Sequence, residues 1–216
     1  VTSVPPKIEI STVFCDVGGV LLTDGWGHDS RKLAARHFNF EYEEFEKRHE
    51  PLAKDLDCGL INVLDYLNQT LFYRPRAFNQ SEFMEFMRAQ SEPFSDRIQV
   101  IAEIAESKKY LMATINNESL ELNAYRINKF ELYKYFSLFF SSCYMRSSKP
   151  EAPIFDNALC ITQKAARECV FIDDREANLV VPKQLGMRTI LCTEAGQLRK
   201  ELMDLGVFTQ RPPHLV

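Results

Sequence analysis

From Pro93 onward the chain alternates short apolar runs, rich in β-branched and aromatic residues, with longer stretches whose apolar residues recur every three or four positions. That alternation is what a parallel sheet demands, because parallel neighbours need a helix-length crossover between them. The spacing predicts strands at KYLMATIN, SLFFSSCYM, ECVFIDD and RTILC, and one more at TVFCDV, which is followed at once by Gly18-Gly19. Between them lie the predicted helices DRIQVIAEIAES, capped by Ser95 or Asp96, then ESLELNAYRINKF with LYKYF, EAPIFDNALCITQ, EANLVVPKQLG and AGQLRKELMDLG. Gly186 stands where the fourth of these helices should end. The fold expected is α/β, a Rossmann-like parallel sheet of about five strands.

Between the first strand and Pro93 the texture differs. From Ser30 to about Glu92 every stretch has helical periodicity and none reads as a strand, with Pro51, Gly59 and YRPRAFNQ as punctuation. This is the pattern of an all-helical insertion. Its aromatic residues Phe38, Phe40, Tyr42 and Phe45 and the run FMEFM fall at core spacing. EYEEFEKRHE reads as a solvated helix face.

Right-handed crossovers bring the carboxyl ends of all the strands to one edge, where open α/β sheets hold their ligands. The residues arriving there are Asp16 after the first strand, Thr114 at the end of the second, Lys149 in the loop after the third and Asp173-Asp174 at the end of the fourth. A lone aspartate after a strand is a turn residue more often than a catalyst. Four polar groups at four successive strand ends are another matter.

In this order the motifs FCDVGG, MATINN, SSKPE and VFIDDREAN resemble those of the haloacid dehalogenase-like hydrolase superfamily, over about Val13 to Thr193. DVGGVLLTD with FIDDREAN is most similar to the branch of sugar-1-phosphate phosphatases and the amino-terminal phosphatase domain of soluble epoxide hydrolases. The resemblance implies a core domain of residues 1–23 and 94–216 and a helical cap of residues 24–93. It implies a hydrolase, a phosphatase in which Asp16 attacks phosphorus to form an aspartyl-phosphate. Mg²⁺ would be held by Asp16, Asp174 and the backbone carbonyl of Gly18, with Asp173 orienting a metal-bound water. Thr114 and Lys149 would hold the phosphoryl oxygens, with Asn116 as an added donor. Asn178 would either hydrogen-bond Lys149 or a carboxylate, or simply be a polar residue on a helix face.

One position departs from the pattern. Phosphatases of this superfamily usually carry a second aspartate two residues after the nucleophile, as general acid and base. Here that residue is Gly18, which cannot carry a proton. Three readings follow: a phosphatase with a substitute group, a 2-haloacid dehalogenase that displaces halide from carbon, or a degenerate member that binds a phosphorylated ligand or a protein. The loop TDGWGHDS is the expected place for a substitute, and Asp24 and His28 are its titratable members. His28 reads equally as a residue near a helix start. Trp26 would line the substrate entrance or pack the cap on the core.

The remaining features exclude more than they suggest. A formal net charge of -4 gives no nucleic-acid footprint, and no apolar run is long enough to span a membrane. The first ten residues, VTSVPPKIEI, lack the pattern of a signal peptide, so a cytoplasmic location is expected. The six cysteines show no CxxC spacing and read as buried free thiols. The four histidines, His214 among them, show no zinc-ligand spacing. The expected partner is a small phosphorylated substrate, and a homodimer is compatible with the pattern without being required by it.

Overall fold

The structure, a computed structural model, describes residues 9–207; the first eight residues of VTSVPPKIEI, and His214, lie outside them. β1 (Thr12–Cys15) is wholly buried, as a central strand covered on both faces must be. The helical stretch that follows contains α1 (His28–His37), α2 (Tyr42–Asp57), α3 (Val63–Thr70) and α4 (Gln80–Ala89). Asn62 caps α3 by accepting the Asp65 N–H at 2.8 Å, and Asn79 with Glu82 closes a reciprocal capping box on α4. Pro51 does not punctuate this stretch as expected. α2 runs through it, and Phe45 and Leu56 on either side of the proline are both buried. Gly59 does end the segment, at φ +64° one residue past the C-cap.

The core continues with α5 (Ser95–Glu106), β2 (Leu111–Asn116), α6 (Leu120–Lys129), a 3₁₀ turn at Leu132–Lys134 in place of the helix expected at LYKYF, and β3 (Leu138–Ser141). The N-cap of α5 is Phe94, and neither Ser95 nor Asp96 caps it. β3 is shorter than SLFFSSCYM suggested, because the chain coils into the short helix α7 (Ser142–Met145). There the Ser142 hydroxyl donates to the Asp57 carbonyl at 2.6 Å and accepts the Glu118 N–H at 3.0 Å, neither of which is a bond of the sheet. α8 (Ala152–Thr162), β4 (Cys169–Asp173), α9 (Glu176–Leu185), β5 (Arg188–Leu191) and α10 (Ala195–Asp204) complete the described chain. Gly186 caps α9 at φ +95°, in the left-handed region that glycine enters without cost.

The five strands are parallel, in the order β3-β2-β1-β4-β5. The order reverses at β1, so the crevice between the carboxyl ends of β1 and β4 is the topological switch point. Two apolar clusters cover the sheet, one with Ile101 of α5 and Leu198 of α10, the other with Phe155 of α8. A third cluster stands apart, built from Trp26, Phe45, Tyr66, Phe83 and Met87 with Leu122 of α6. Phe38, Phe40 and Phe45 pack into it, as their helical spacing predicted. At the root of this helical stretch Thr23 N–H donates to the Glu92 carbonyl at 2.9 Å, and the Thr23 hydroxyl accepts the Glu92 N–H at 3.0 Å. The stretch therefore leaves and rejoins the sheet at one point. Among the described residues no helix is long and apolar enough to cross a membrane. All six cysteines are free thiols, and Cys160 is exposed rather than buried.

Candidate active site

Parallel register sets the first contacts. Cys15 pairs with Ile172, so Asp16 and Asp173 emerge side by side from adjacent strands. The Lys149 ammonium lies between them, 2.7 Å from Asp16 Oδ2 and 2.7 Å from Asp173 Oδ2. Lys149 is held there by Asn117, whose amide accepts the Lys149 N–H and donates to the Lys149 carbonyl, each at 2.8 Å. Asp173 also accepts the Asn178 amide at 3.0 and 3.2 Å and the Arg175 N–H at 2.9 Å. Asn178 thus serves a carboxylate, settling the alternative left open by the sequence.

Burial pushes the Asp16 carboxyl up, with the Asp173 charge adding to it against the pull of Lys149. Burial alone would lower the Lys149 ammonium, but Asp16 and Asp173 outweigh it and hold it above its ordinary value. Asp174 is raised by burial and by Asp173. One oxygen from each of Asp16, Asp173 and Asp174 lies within 4.8 Å of the others. Carboxylates that close repel by about 3 kcal/mol per pair at an effective dielectric of about 20. Lys149 pairs with Asp16 and Asp173, the Arg175 guanidinium stands 4.0 Å from Asp174 Oδ2, and Asp174 Oδ1 is buried without a hydrogen-bond partner. This donor set fits a hard divalent cation.

Gly19 makes the approach of Asp174 possible. Its φ is +75°, and a Cβ there would stand 2.2 Å from Asp174 Oδ2. Gly18 is different, since a Cβ would meet Arg126 Nη1 and Asp24 Oδ1 only at 3.6 Å. The Gly18 carbonyl, expected to face a metal, accepts no backbone or side-chain hydrogen bond among the described residues. A cavity of about 540 Å³ opens over these groups. Asp16, Gly18, Asn117, Glu118, Ser119, Lys149, Arg175 and Asn178 line it from the strand-end loops and helix starts; Trp26, His28, Arg31, His49, Leu56 and Asp57 line it from the helical stretch.

Not every expected residue reaches the cavity. Thr114 is in register with Cys15, one residue short of Asp16, and is wholly buried with its hydroxyl 3.5 Å from Asn116 Oδ1. Asn116 is tied to Asn123 at 3.1 Å and to the Ser141 hydroxyl at 2.9 Å. Neither lines the cavity; the polar residues there are the next three, Asn117, Glu118 and Ser119. Trp26 lines the cavity, and its indole packs edge-on against Phe45 and Phe83 and donates to the Tyr66 hydroxyl at 3.1 Å, contacts that lie within the helical stretch rather than between it and the sheet. His28 lines the mouth, with a side chain 57% exposed and 3.5 Å from Asp29. Asp24 is paired with Arg175 at 2.6 Å.

Sequence reasoning missed a ring of charged residues around these. Arg126 and Glu118 form a buried ion pair at 2.7 Å, and Arg126 also donates to the Thr23 carbonyl. Burial raises the Glu118 carboxyl against that pairing. EYEEFEKRHE is not wholly solvated: Glu46 binds Arg31 through two hydrogen bonds, at 2.6 and 3.0 Å, and His49 faces the cavity. His49 Nδ1 lies 2.9 Å from the Tyr66 hydroxyl, and burial, with Arg31 nearby, lowers its pKa to about 4. Burial and the Glu118 charge push the Asp57 carboxyl up to about 7. Helical periodicity reports which face of a helix is apolar. It carries no signal for a charged residue at a helix end that turns toward another element.

The family profile for haloacid dehalogenase-like hydrolases matches residues 24–192. The chloroplast flavin mononucleotide hydrolase 1 of Arabidopsis thaliana is 25% identical over 167 residues, covering 77% of this chain and 67% of that protein. Among solved structures, a haloacid dehalogenase family enzyme of Bacteroides thetaiotaomicron superposes with a TM-score of 0.75 at 20% identity, covering 90% of this chain and 98% of that one. The same enzyme in complex with magnesium and inorganic phosphate gives a TM-score of 0.72 at 20% identity, covering 87% and 96%. An L-2-haloacid dehalogenase of Xanthobacter autotrophicus with chloropropionic acid covalently bound gives 0.60 at 15% identity, covering 93% and 85%. At these identities the solved structures share the fold with this chain.

Proposed function

The chain belongs to the haloacid dehalogenase-like hydrolases, and we propose that it is a Mg²⁺-dependent phosphatase acting on a small phosphate monoester. The observation that carries this reading is the group at the switch point: Asp16 held 2.7 Å from Lys149, with two further carboxylates beside it and a cavity above. A 2-haloacid dehalogenase needs the carboxylate alone. Gathering three carboxylates within 4.8 Å of one another, two of them on one ammonium, favours a substrate that arrives with a cation.

Asp16 Oδ attacks phosphorus, the bond from phosphorus to the ester oxygen breaks, and an aspartyl-phosphate forms on Asp16. Water then attacks that phosphorus, the bond to Asp16 breaks, and inorganic phosphate leaves with the carboxylate restored. Lys149 holds a phosphoryl oxygen and offsets developing charge, a role in which single donors are worth roughly 10²–10³ in rate. Asp173 positions Lys149. Asp16, Asp174 and the Gly18 carbonyl are the residues that would hold Mg²⁺, which when bound neutralises the carboxylates and polarises the phosphoryl group. Residues 24–93, with their own apolar cluster and their single root at Thr23 and Glu92, act as a cap over the cavity. Thr114 and Asn116 support the strand ends behind Asn117. The names of the Arabidopsis relative and of the magnesium and phosphate complex are in keeping with this reading.

The test is hydrolysis of 4-nitrophenyl phosphate by wild type and Asp16→Asn, each with Mg²⁺ and with chelator. Turnover is expected only from wild type with Mg²⁺. Turnover that survives both the substitution and the chelator overturns the mechanism. Halide release from a 2-haloacid would instead make the chain a dehalogenase, and phosphate binding without turnover of any ester a binding protein.

A further inference from the structure

We propose that Asp57, the last residue of α2, is the proton donor to the leaving group and the base for the attacking water, an assignment that rests on the phosphatase reading above. An ester oxygen that leaves phosphorus must gain a proton unless it is already a stable anion. In-line displacement places that oxygen across the phosphorus from Asp16 Oδ. The donor must therefore stand across the cavity from Asp16, and α1 and α2 supply part of that cavity's lining, Asp57 included.

The titratable residues around the cavity differ in what already engages them. Asp24 is paired with Arg175 at 2.6 Å and Glu118 with Arg126 at 2.7 Å. His28 opens to solvent beside Asp29. His49 is engaged by the Tyr66 hydroxyl and, with its pKa near 4, is a neutral imidazole at neutral pH. Among the described residues no hydrogen bond reaches the Asp57 carboxyl. It faces Glu118 from the loop after β2, Arg175 from the loop after β4 and Arg31 from α1. Burial holds it near 7, so at neutral pH it is present in both forms, as a group that gives a proton in one step and takes one in the next requires.

Its position is fixed from the core. The Asp57 carbonyl accepts the Ser142 hydroxyl at 2.6 Å, and that hydroxyl accepts the Glu118 N–H at 3.0 Å. One residue on, the Cys58 carbonyl accepts Arg146 at 3.0 Å. Gly59 follows at φ +64°, and a Cβ there would stand 2.5 Å from the Cys143 carbonyl oxygen. The end of α2 is thus fastened to α7, which follows β3 directly. In the first step the Asp57 carboxylic acid gives its proton to the ester oxygen as the phosphorus–oxygen bond breaks, and an alcohol leaves. In the second, the Asp57 carboxylate takes a proton from the water that attacks phosphorus and is returned to its acid form.

The experiment compares wild type, Asp57→Asn and Asp57→Ala on two esters of similar size. The phenolate leaving 4-nitrophenyl phosphate is stable without a proton near neutral pH, whereas that leaving phenyl phosphate is not. Asp57→Asn is expected to lose roughly 10²-fold or more in kcat/KM on phenyl phosphate and at least about tenfold less than that on the nitrophenyl ester. Folding of both variants is read from far-UV circular dichroism and the urea midpoint, because the second step draws on the same carboxyl whichever ester is used. Equal losses on both esters, or no loss on either, overturn the assignment and leave the phosphatase reading intact. Hydrolysis of neither ester by wild type overturns that reading and this assignment with it.

Discussion

The Lys149 ammonium stands 2.7 Å from Asp16 Oδ2 and is almost fully buried, so the carboxylate and its counter-charge form one unit. Lys149→Met leaves Asp16 and Asp173 facing each other without the cation. Breaking a buried pair in this way costs about 3–5 kcal/mol, and loss of a phosphoryl-holding donor costs roughly 10²–10³ in turnover. Urea denaturation and kcat/KM with 4-nitrophenyl phosphate measure the two effects separately. A variant as stable as wild type would show that the ammonium is not a buried counter-charge.

Gly19 and Gly18 are adjacent but not equivalent. Gly19→Ala pushes a methyl group to 2.2 Å from Asp174 Oδ2 at φ +75°, so Asp174 must move. The left-handed backbone alone adds about 1–2 kcal/mol. The Mg²⁺ concentration giving half-maximal activity is expected to rise at least about tenfold, the effect typical of a disturbed ligand shell. An unchanged Mg²⁺ dependence would remove Asp174 from the metal site.

Position 18 admits a Cβ at ordinary contact distance, 3.6 Å from both Arg126 Nη1 and Asp24 Oδ1. Introducing Gly18→Asp into the Asp57→Asn background places a carboxyl where relatives of this kind carry their acid. It is expected to restore phenyl phosphate turnover at least about tenfold over Asp57→Asn alone. If the double variant folds, as far-UV circular dichroism reports, and shows no recovery, proton transfer is not what Asp57→Asn lost.

The same Asp57 carboxyl links stability to pH. Its pKa is raised from 3.8 to about 7 by burial, so between those values the folded chain binds more protons than the unfolded one. Stability contributed by this group is present below the lower value and is lost as pH rises through the upper one. Asp57→Asn removes a half-buried charge on the cavity wall and should be more stable than wild type at about pH 8, by on the order of 1–3 kcal/mol once screening by cavity water is allowed for. The gain should shrink at about pH 5. Denaturation at both values checks it; a gain independent of pH would mean that the carboxyl does not ionise in a buried setting.

Arg126 and Glu118 pack beneath the turn that carries Gly25, whose Cβ would lie 3.2 Å from Arg126 Nη1 and 3.4 Å from Glu118 Oε2. Arg126→Met strands a buried carboxylate and is expected to cost about 3–5 kcal/mol. Adding Glu118→Gln should recover at least about 1 kcal/mol of that loss. A strictly additive cycle would show that the pair is not coupled.

The alternation of apolar runs and helical stretches determined the sheet, its parallel sense and the edge on which the site lies, because each depends on local periodicity and chain handedness. That Asp16, Lys149 and the Asp173-Asp174 pair meet at one edge was legible for the same reason: each follows a strand, and strand ends converge. The local signal is weaker elsewhere. SSCYM has the composition of a strand although Ser142 turns the chain to bond Asp57 and Glu118, and Pro51 has the look of punctuation although α2 runs through it.

Tertiary structure alone decided which side chains enter the cavity. Thr114 carries the expected residue type at the expected strand, yet register places it level with Cys15 and buries it one step below Asp16. Asp57 has no motif around it. It becomes a chemical group only because α2 ends against α7, Glu118 and Arg175 face it, and burial withdraws water from its carboxyl. Sequence spacing fixes what lies along one element, whereas charge pairing, desolvation and proton affinity depend on distances between elements that only packing sets.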